Sequence, residues 1–298
     1  MRFFSAIIHR LQHRWRRVLS SVAHRFMKAP RVLTIDETLD LIINQHYSVS
    51  RNGDGELNLM MGEAIDFQHS DPRLAGIMRE ALSTEMDKYI SCLPGIFSDN
   101  SRFTERAQKY FDSYLSTKRY YYYTFAKASV YGNAFISRFY MDLRDKSQAK
   151  HQVEELKKIW VGQDVLLLEG KESRLGVNND LFDGAKSLKR ILGPSENAFD
   201  KYDALKSKVQ ECAKKDMLIL LALGPTATAM SYELAKVGYW AVDIGHIDIE
   251  YEWYLMGATS KVAVPGKYTN ECDEGKLSGT LPEEALAKYR SEIIAEIF

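Results

Sequence analysis

The chain has 298 residues, 45% of them hydrophobic and 27% charged, which is enough for one large domain or two small ones. Its formal net charge is zero, but residues 1–35 carry eight basic and no acidic side chains, so the remainder carries a net charge of −8. An acidic main body argues against nucleic acid as a partner, because phosphate contacts need a basic face. The cysteines Cys92, Cys212 and Cys272 are far apart and have no metal-ligand spacing, so we expect a cytoplasmic protein without disulfides.

Residues 1–28 combine apolar residues at helical spacing with many arginines, which predicts a basic amphipathic helix. The arginines interrupt every apolar run, so the segment predicts neither a membrane span nor a signal peptide. One interpretation is contact with an anionic membrane, at the inner face of the cell membrane; the other is packing on the domain or on another subunit. Pro30 closes this unit, residues 1–30, and residues 31–298 are predicted to form one domain.

Thr34 and Glu37 match a capping box, which predicts a helix from there to about His46. The stretch Ser-Arg-Asn-Gly-Asp-Gly-Glu over residues 50–56 then follows a predicted strand end, and its glycines permit a sharp turn.

In extended backbone, residues two apart point to the same side, so Asp54 and Glu56 could aim two carboxylates at one spot. Paired carboxylates are typical ligands of Mg²⁺ or Mn²⁺ next to substrate phosphates. The alternative is an ordinary polar Gly-Asp-Gly hairpin turn.

Asp71 before Pro72 predicts the start of another helix, with Asp71 as N-cap. The remaining elements of the first half are predicted as helices over 104–116 and 151–159 and a strand over 133–140. The four consecutive tyrosines at 120–123 could stack on a sugar or base; the alternative is a run that is half core and half surface.

From about residue 160 the pattern alternates strands with helices, which predicts a parallel sheet with helices on both faces. The strands are predicted at 165–168, 190–192, 217–223 and 239–244, and the helices at 200–213, 227–237, from 248 onward and at 282–297. Ligands of such sheets bind beyond the carboxyl ends of the strands, which here are Glu169, Gly193, Gly224 and Gly245.

Gly224 lies between a predicted strand and a predicted helix, which is typical of a phosphate site at a helix N-terminus. Thr226 and Thr228 could add hydroxyl donors, and Asp243 ends the next strand where related folds place an acid on a ribose. The alternative is a plain strand-to-helix connection with a threonine N-cap.

The segment 243–253 carries four carboxylates and a histidine directly after a buried strand. We expect the surrounding carboxylates to raise the pKa of His246, which would suit proton transfer or ligand binding. The alternative is an acidic surface helix with an incidental histidine.

The polar loop 171–180 carries Arg174, which could hold a diphosphate with two parallel hydrogen bonds. Asn178 and Asp180 could hold ribose or sugar hydroxyls. The alternative is a solvated polar loop.

Four blocks of this chain, at 50–56, 169–182, 194–199 and 243–253, resemble the GT-D-type glycosyltransferases, a bacterial family first catalogued as a domain of unknown function. The resemblance covers about residues 34–265. It implies a Rossmann-like α/β fold with a mostly parallel sheet, a sugar-nucleotide donor that is typically UDP-glucose, and a divalent cation, Mn²⁺ or Mg²⁺, near an Asp-x-Glu motif. The family usually has an aromatic residue where this chain has Asn52.

The resemblance implies that Asp54 and Glu56 hold the metal, although Asp248-Ile249-Glu250 has the same Asp-x-Glu form. The expected acid/base or acceptor-orienting residues are His246, Asp248 and Glu250. The residues expected to bind the nucleotide sugar are Arg51, Gly53, Glu169, Ser173, Arg174, Asn178, Asp180, Asn197, Gly224, Thr226 and Asp243.

The leading hypothesis is therefore metal-dependent transfer of a hexose, with glucose first, from a UDP-sugar to a glycan or glycoconjugate in surface polysaccharide or glycoprotein synthesis. One alternative is another Rossmann-type enzyme, using a dinucleotide or S-adenosylmethionine with Asp243 on the ribose. The other is a non-catalytic scaffold tethered to a membrane through residues 1–28.

Overall fold

A computed structural model describes residues 2–269, 271–272 and 279–298, with side chains from Arg10 onward. Met1, Asn270 and residues 273–278, which belong to the predicted units 1–30 and 31–298, lie outside the described residues. The strands are β1 (Ser48–Arg51), β2 (Tyr89–Leu93), β3 (Gly132–Asn133), β4 (Asp164–Gly170), β5 (Ser187–Gly193), β6 (Leu218–Ala222), β7 (Trp240–Asp243) and β8 (Ile293–Glu296). The helices are α1 (Arg2–Phe26), α2 (Ile35–Gln45), α3 (Asp54–Met60), α4 (Pro72–Ser83), α5 (Glu105–Phe125), α6 (Ala149–Lys157), α7 (Tyr202–Cys212), α8 (Pro225–Lys236), α9 (Ile247–Leu255) and α10 (Glu283–Glu292).

The described strands form one sheet in the order β3-β2-β1-β7-β6-β4-β5-β8, and every pair is parallel. The strand order reverses between β1 and β4, so the chain winds helices onto both faces. The predicted parallel α/β fold is confirmed.

Along the central strands, successive side chains point to opposite faces of the sheet and are buried on both faces. Leu166 of β4 and Ile219 of β6 pack in the core layer that contains α4, α5, α7 and α8. Leu167 and Leu220 pack in the layer that contains α2, α6 and α9. Both layers are continuous, which explains why these strands are apolar throughout instead of alternating with polar residues.

Helix α1 packs along the outer side of α5, in the layer that also contains α4, α7 and α8. Its Ser20 and Ala23 are buried, and its Arg16 pairs with Glu63 at 2.6 Å. Within the described residues, none of the helices combines the length and the apolar character needed to cross a lipid bilayer.

Local signals predict several helix ends correctly. Thr34 and Glu37 form the expected capping box of α2, and His46 ends that helix in a left-handed conformation. Asp71 accepts two backbone N–H groups at the start of α4, with Pro72 at the first helical position.

Three predicted elements are wrong in type or extent. Residues 133–140 form only the end of β3 and a 3₁₀ helix, Ala134–Ser137, because the Asn133 side chain caps that helix. The predicted helix 104–116 extends to Phe125 and takes in the tyrosine run, and the predicted helix 282–297 ends at Glu292, where β8 begins.

Candidate functional site

A cleft of about 940 Å³ opens at the carboxyl edge of the sheet. Arg51 ends β1, Gly170 ends β4, Gly224 follows β6 and Asp243 ends β7, and all four line this cleft. Because all strands are parallel, their carboxyl ends share one edge, and loops far apart in sequence meet there.

The Asp-Gly-Glu segment is the start of helix α3 and not an extended turn. Gly53 is the N-cap, and Asp54 and Glu56 are the first and third helical residues. The prediction that the two carboxylates project together from extended backbone is therefore wrong, since Glu56 folds back to accept the Gly53 N–H at 2.8 Å. Both side chains nevertheless line the cleft.

Glu56 is partly buried and lies near the Asp243 carboxylate. Burial raises the pKa of Glu56 to about 7, and the nearby Asp243 carboxylate adds to the rise. This shift favours the protonated carboxyl group, and a cation in the cleft would favour the ionised form instead.

Helix α5 supplies an aromatic wall that supports Asp54. The Tyr110 hydroxyl donates to the Asp54 carboxylate, and the Tyr114 hydroxyl donates to the Asp54 carbonyl at 3.0 Å. Tyr122 donates to the carbonyl of Gly53 at 3.1 Å. The three tyrosines lie four and eight residues apart, a helical spacing that could have identified them from sequence.

Arg51 and Asp243 form the floor of the cleft as a buried ion pair. The Arg51 Nε and Nη2 atoms each lie 3.3 Å from Asp243 Oδ1, and Arg51 also contacts the carbonyl of Ala134. Asp243 accepts further bonds from Thr228 Oγ1 and the Gly245 N–H. Burial raises the pKa of Asp243, while Arg51 and these donors oppose the rise. Asp243 is thus committed to protein partners, which leaves little capacity for the predicted ribose contact.

Gly245 makes room for this pair. Its φ of +46° is left-handed, and a Cβ placed there would lie 1.6 Å from Nη2 of Arg51. Any other residue would strain the backbone and displace the guanidinium.

His246 lines the cleft next to this pair, but its predicted protonation is wrong. Burial lowers the pKa of His246 to about 4, and although Glu271 opposes this, Arg138, Arg51 and Lys261 add to it. The sequence shows the acidic neighbours of His246 but not the cations that folding brings beside it. The imidazole is therefore uncharged at neutral pH.

A second charged group in the cleft comes from residues far apart in sequence. Arg138 pairs with Glu271, and Lys261 pairs with both Glu271 and Asp142. Although burial opposes it, Arg138 holds the pKa of Glu271 well below its usual range. Arg138 and Asp142 come from the segment after the 3₁₀ helix, and Lys261 and Glu271 come from the connection between α9 and α10, so the local sequence does not show that these charges meet.

The other two predicted acid/base residues have structural partners. Asp248 lines the cleft but accepts the Gly176 N–H and the Asn179 amide, and it pairs with buried Lys267 at 2.7 Å. Glu250 does not line the cleft. It is fully buried and accepts the backbone N–H groups of Tyr140 and Met141.

The predicted nucleotide-sugar residues separate into two groups. Those that line the cleft are Arg51, Gly53, Ser173, Gly224 and Asp243. Those outside the lining are Glu169, Arg174, Asn178, Asp180, Asn197 and Thr226.

Members of the second group have identifiable contacts. Glu169 pairs with Arg190 inside the core, Arg174 donates to the Gly266 carbonyl, and Asp180 pairs with Lys157 on the surface. Asn178 is exposed. Asn197 accepts the His69 N–H and holds the loop that carries the cleft residue Phe67. Thr226 is fully buried, and its Oγ1 lacks a partner among the described residues.

The donor set fits a divalent cation that arrives with a phosphate-bearing ligand. Within the described part of the chain, no three His, Cys, Asp or Glu side chains are grouped as a complete metal site. Mg²⁺ and similar ions are, however, often held by one or two carboxylates, with phosphates and water completing the shell. Asp54 and Glu56 line the same cleft, and Asp243 lies close enough to add to the rise that burial causes in the pKa of Glu56, so a cation there would be attracted by more than one carboxylate.

Comparisons with known proteins agree with this architecture. A family model described as "Glycosyltransferase GT-D fold" matches residues 49–272. "Glycosyltransferase GlyD" of Streptococcus pneumoniae is 43% identical over 268 residues, which is 90% of this chain and 32% of that protein. "Probable glycosyl transferase Gly" of Streptococcus gordonii is 44% identical over 267 residues, 89% of this chain and 39% of that protein. The chain thus spans little more than a third of the length of these relatives.

Two solved structures match over nearly the whole chain. One is described as "The highly conserved domain of unknown function 1792 has a distinct glycosyltransferase fold"; it has a TM-score of 0.85 and 40% identity, and the match covers 96% of this chain and 100% of that one. The other is described as "A New Glycosyltransferase (DUF1792) from Streptococcus sanguinis"; it has a TM-score of 0.85 and 42% identity, and covers 90% of this chain and 100% of that one.

Proposed function

We propose, since the chain belongs to the family of glycosyltransferases with the GT-D fold, that it transfers glucose from UDP-glucose to a hydroxyl of a glycan or glycoconjugate. Such acceptors belong to surface polysaccharide or glycoprotein synthesis. The observation that carries the proposal is the shared cleft, in which Asp54, Glu56, the Arg51–Asp243 pair and His246 face one space at the carboxyl edge of the sheet. Its volume of about 940 Å³ suits a nucleotide sugar together with part of an acceptor.

The reaction breaks the bond between the sugar's anomeric carbon and the diphosphate, and it forms a bond from that carbon to the acceptor oxygen. Negative charge grows on the leaving diphosphate, so catalysis depends on positive charge placed beside it. Arg138 and Lys261 line the cleft and replace Arg174 as the side chains that we assign to this task. Arg51 has a different role, since its hydrogen bonds to the Asp243 carboxylate fix that side chain at the floor of the cleft.

Asp54 and Glu56 would hold Mn²⁺ or Mg²⁺, which when bound supplies further positive charge to the diphosphate. Tyr110 positions the Asp54 carboxylate for this role. Among the predicted acid/base residues, we assign His246 to the acceptor, because its neutral imidazole lines the cleft and can exchange a hydrogen bond with the acceptor hydroxyl.

Release of UDP from UDP-glucose in the presence of Mn²⁺ tests the metal role. We expect Asp54→Asn and Glu56→Gln each to reduce the rate by on the order of a hundredfold, because each removes charge from the cation site. Helix α2 offers matched controls: Asp36 is an exposed acid in its first turn, and Glu37, like Glu56, accepts the backbone N–H of the N-cap residue of its helix. Asp36→Asn and Glu37→Gln should retain the wild-type rate. Full activity of both cleft variants would refute the metal role.

Ligand-dependent stability tests the donor class separately. UDP with Mn²⁺ should raise the melting temperature of the wild type, since a ligand that binds only the folded state stabilises it. NAD or S-adenosylmethionine should not, because Asp243 is already committed to Arg51 and Thr228. Stabilisation by either compound, and not by UDP, would support a different Rossmann-type enzyme.

A further inference from the structure

Helix α1 carries an exposed apolar stripe on a face that the domain does not cover. The large side chains of this stripe are each 47% to 75% exposed: Leu11, Trp15, Val18, Val22 and Phe26. They follow one another at intervals of three or four residues, so they align on one side of the helix over about 22 Å. Single exposed apolar residues are normal on protein surfaces, but five in one line mark an interaction site.

A row of arginines borders this stripe. Arg10, Arg14, Arg17 and Arg25 are also spaced by three, four or eight residues, and all four are exposed. At 100° per residue they lie along one flank of the stripe, whereas the side that packs on α5 contains Ser20. The helix thus has three faces: one packed, one apolar and exposed, and one basic.

The occupant of this surface must bring negative charge. Residues 1–35 contain no Asp or Glu, so a second copy docked through the same face would set arginine rows together without carboxylates from this segment. An apolar stripe that contains a tryptophan and has arginines beside it is the composition of helices that lie in the interface of anionic bilayers.

We propose that α1 docks this protein on an anionic membrane surface. The stripe from Leu11 to Phe26 enters the headgroup region, and the arginine row contacts the lipid phosphates. Helix α5 lies between α1 and the cleft, with Tyr110 and Tyr114 on the cleft side. Docking therefore brings the cleft within one helix of the bilayer, whatever reaction the cleft performs.

Vesicle co-sedimentation of the full chain tests this docking. We expect binding to vesicles of phosphatidylcholine with phosphatidylglycerol, weaker binding when salt is raised, and no binding to phosphatidylcholine alone. Val18→Glu should lower the partition coefficient by on the order of tenfold, because it places a charge in the stripe and beside anionic lipid. Val161→Glu is the matched control, since Val161 is similarly exposed at 54% but lies outside α1.

Several results would overturn the proposal. They are equal binding of wild type and Val18→Glu, equal binding to both vesicle types, or no vesicle binding together with self-association that Val18→Glu abolishes. Selective binding to an acidic protein without any vesicle binding would also overturn it. Stabilisation by UDP with Mn²⁺ should be the same in Val18→Glu as in the wild type, so the membrane proposal and the proposed function can fail independently.

Discussion

At the scale of single residues, the same side-chain type has different roles in this chain according to its partners. Asp248 and Glu250 stand two residues apart on α9, yet one pairs with Lys267 and the other binds backbone N–H groups. Glu56 lines the cleft, and burial, together with the Asp243 carboxylate, raises its pKa to about 7. Sequence alone predicts that acids cluster near the strand ends, but the tertiary structure is needed to show which partner each acid has.

Glu250 is predicted to make stability depend on pH. Burial raises the pKa of Glu250 to about 7, despite the opposing Arg138 and Met141 N–H, so the folded protein holds a proton that the unfolded chain loses near pH 4.5. A raised carboxyl pKa favours the folded state below pH 4.5, and that advantage disappears as the pH rises to 7. The free energy of unfolding should fall over this window by up to about 3 kcal/mol for this group.

Urea unfolding at several pH values between 4.5 and 8 measures the effect. Glu250→Gln keeps an acceptor for the Tyr140 and Met141 N–H groups without the titration, so its loss of stability with rising pH should be smaller than that of the wild type. Glu56 titrates in the same window, and the readout is therefore the difference between variant and wild type. Parallel pH profiles of the two proteins would contradict the prediction.

At the scale of elements, local signals predict the ends of helices better than they predict short strands. The capping box of α2 and the Asp-Pro start of α4 are complete in the sequence, since the residues that satisfy the first N–H groups are neighbours. Strand β2 is five residues long and is buried by pairing with β1 and β3, so its stabilising partners are distant in sequence. The prediction for residues 282–297 fails for the same reason, since β8 exists through its pairing with β5.

The last strand is tied to the sheet by a buried charge, and this leads to a testable prediction. Arg190 on β5 is 2% exposed and bonds Glu169 on β4 at 2.6 Å and Glu292, just before β8, at 2.7 Å. Arg190→Met leaves Glu169 as an uncompensated buried carboxylate, which should cost about 3–5 kcal/mol in unfolding free energy.

A double variant separates the lost pair from lost packing. In Arg190→Met with Glu169→Gln, a neutral amide can still accept the Leu175 N–H, so part of the loss should be recovered. Urea unfolding of the two single variants and the double variant gives the coupling energy. Strictly additive losses would mean that Arg190 stabilises the sheet by packing alone.

At the scale of the whole molecule, the sequence predicts where the site lies better than it predicts which residues line it. A parallel sheet with ligand loops at one edge follows from alternating strands and helices, and nine of the predicted residues do line the cleft. Arg174 and Asp180 belong to the same predicted loop but bond the Gly266 carbonyl and Lys157 instead, since the loop packs against other parts of the chain. Arg138 enters the cleft from the segment after the 3₁₀ helix, whereas Lys261 and Glu271 enter from the connection between α9 and α10, and only the tertiary structure brings the two segments together.

A chain of contacts joins the first helix to the cleft. Helix α1 packs on α5, Arg16 of α1 pairs with Glu63, and Glu63 also pairs with Lys118 of α5. The other side of α5 positions Asp54 through Tyr110 and Tyr114. Helix α1 should therefore stabilise the cleft even though none of its described residues lines it.

Removal of residues 1–28 should reveal this link. The truncation uncovers the face of α5 that Ser20 and Ala23 bury, so we expect the melting temperature to fall by on the order of 5 °C. Affinity for UDP with Mn²⁺ should fall severalfold, because α5 then holds Asp54 less firmly, whereas Val18→Glu in the full chain should change neither value. A truncated protein with unchanged melting temperature and UDP affinity would mean that α1 serves only its exposed face. A truncated protein that melts earlier but binds UDP as before would place the effect of α1 in stability and not in the cleft.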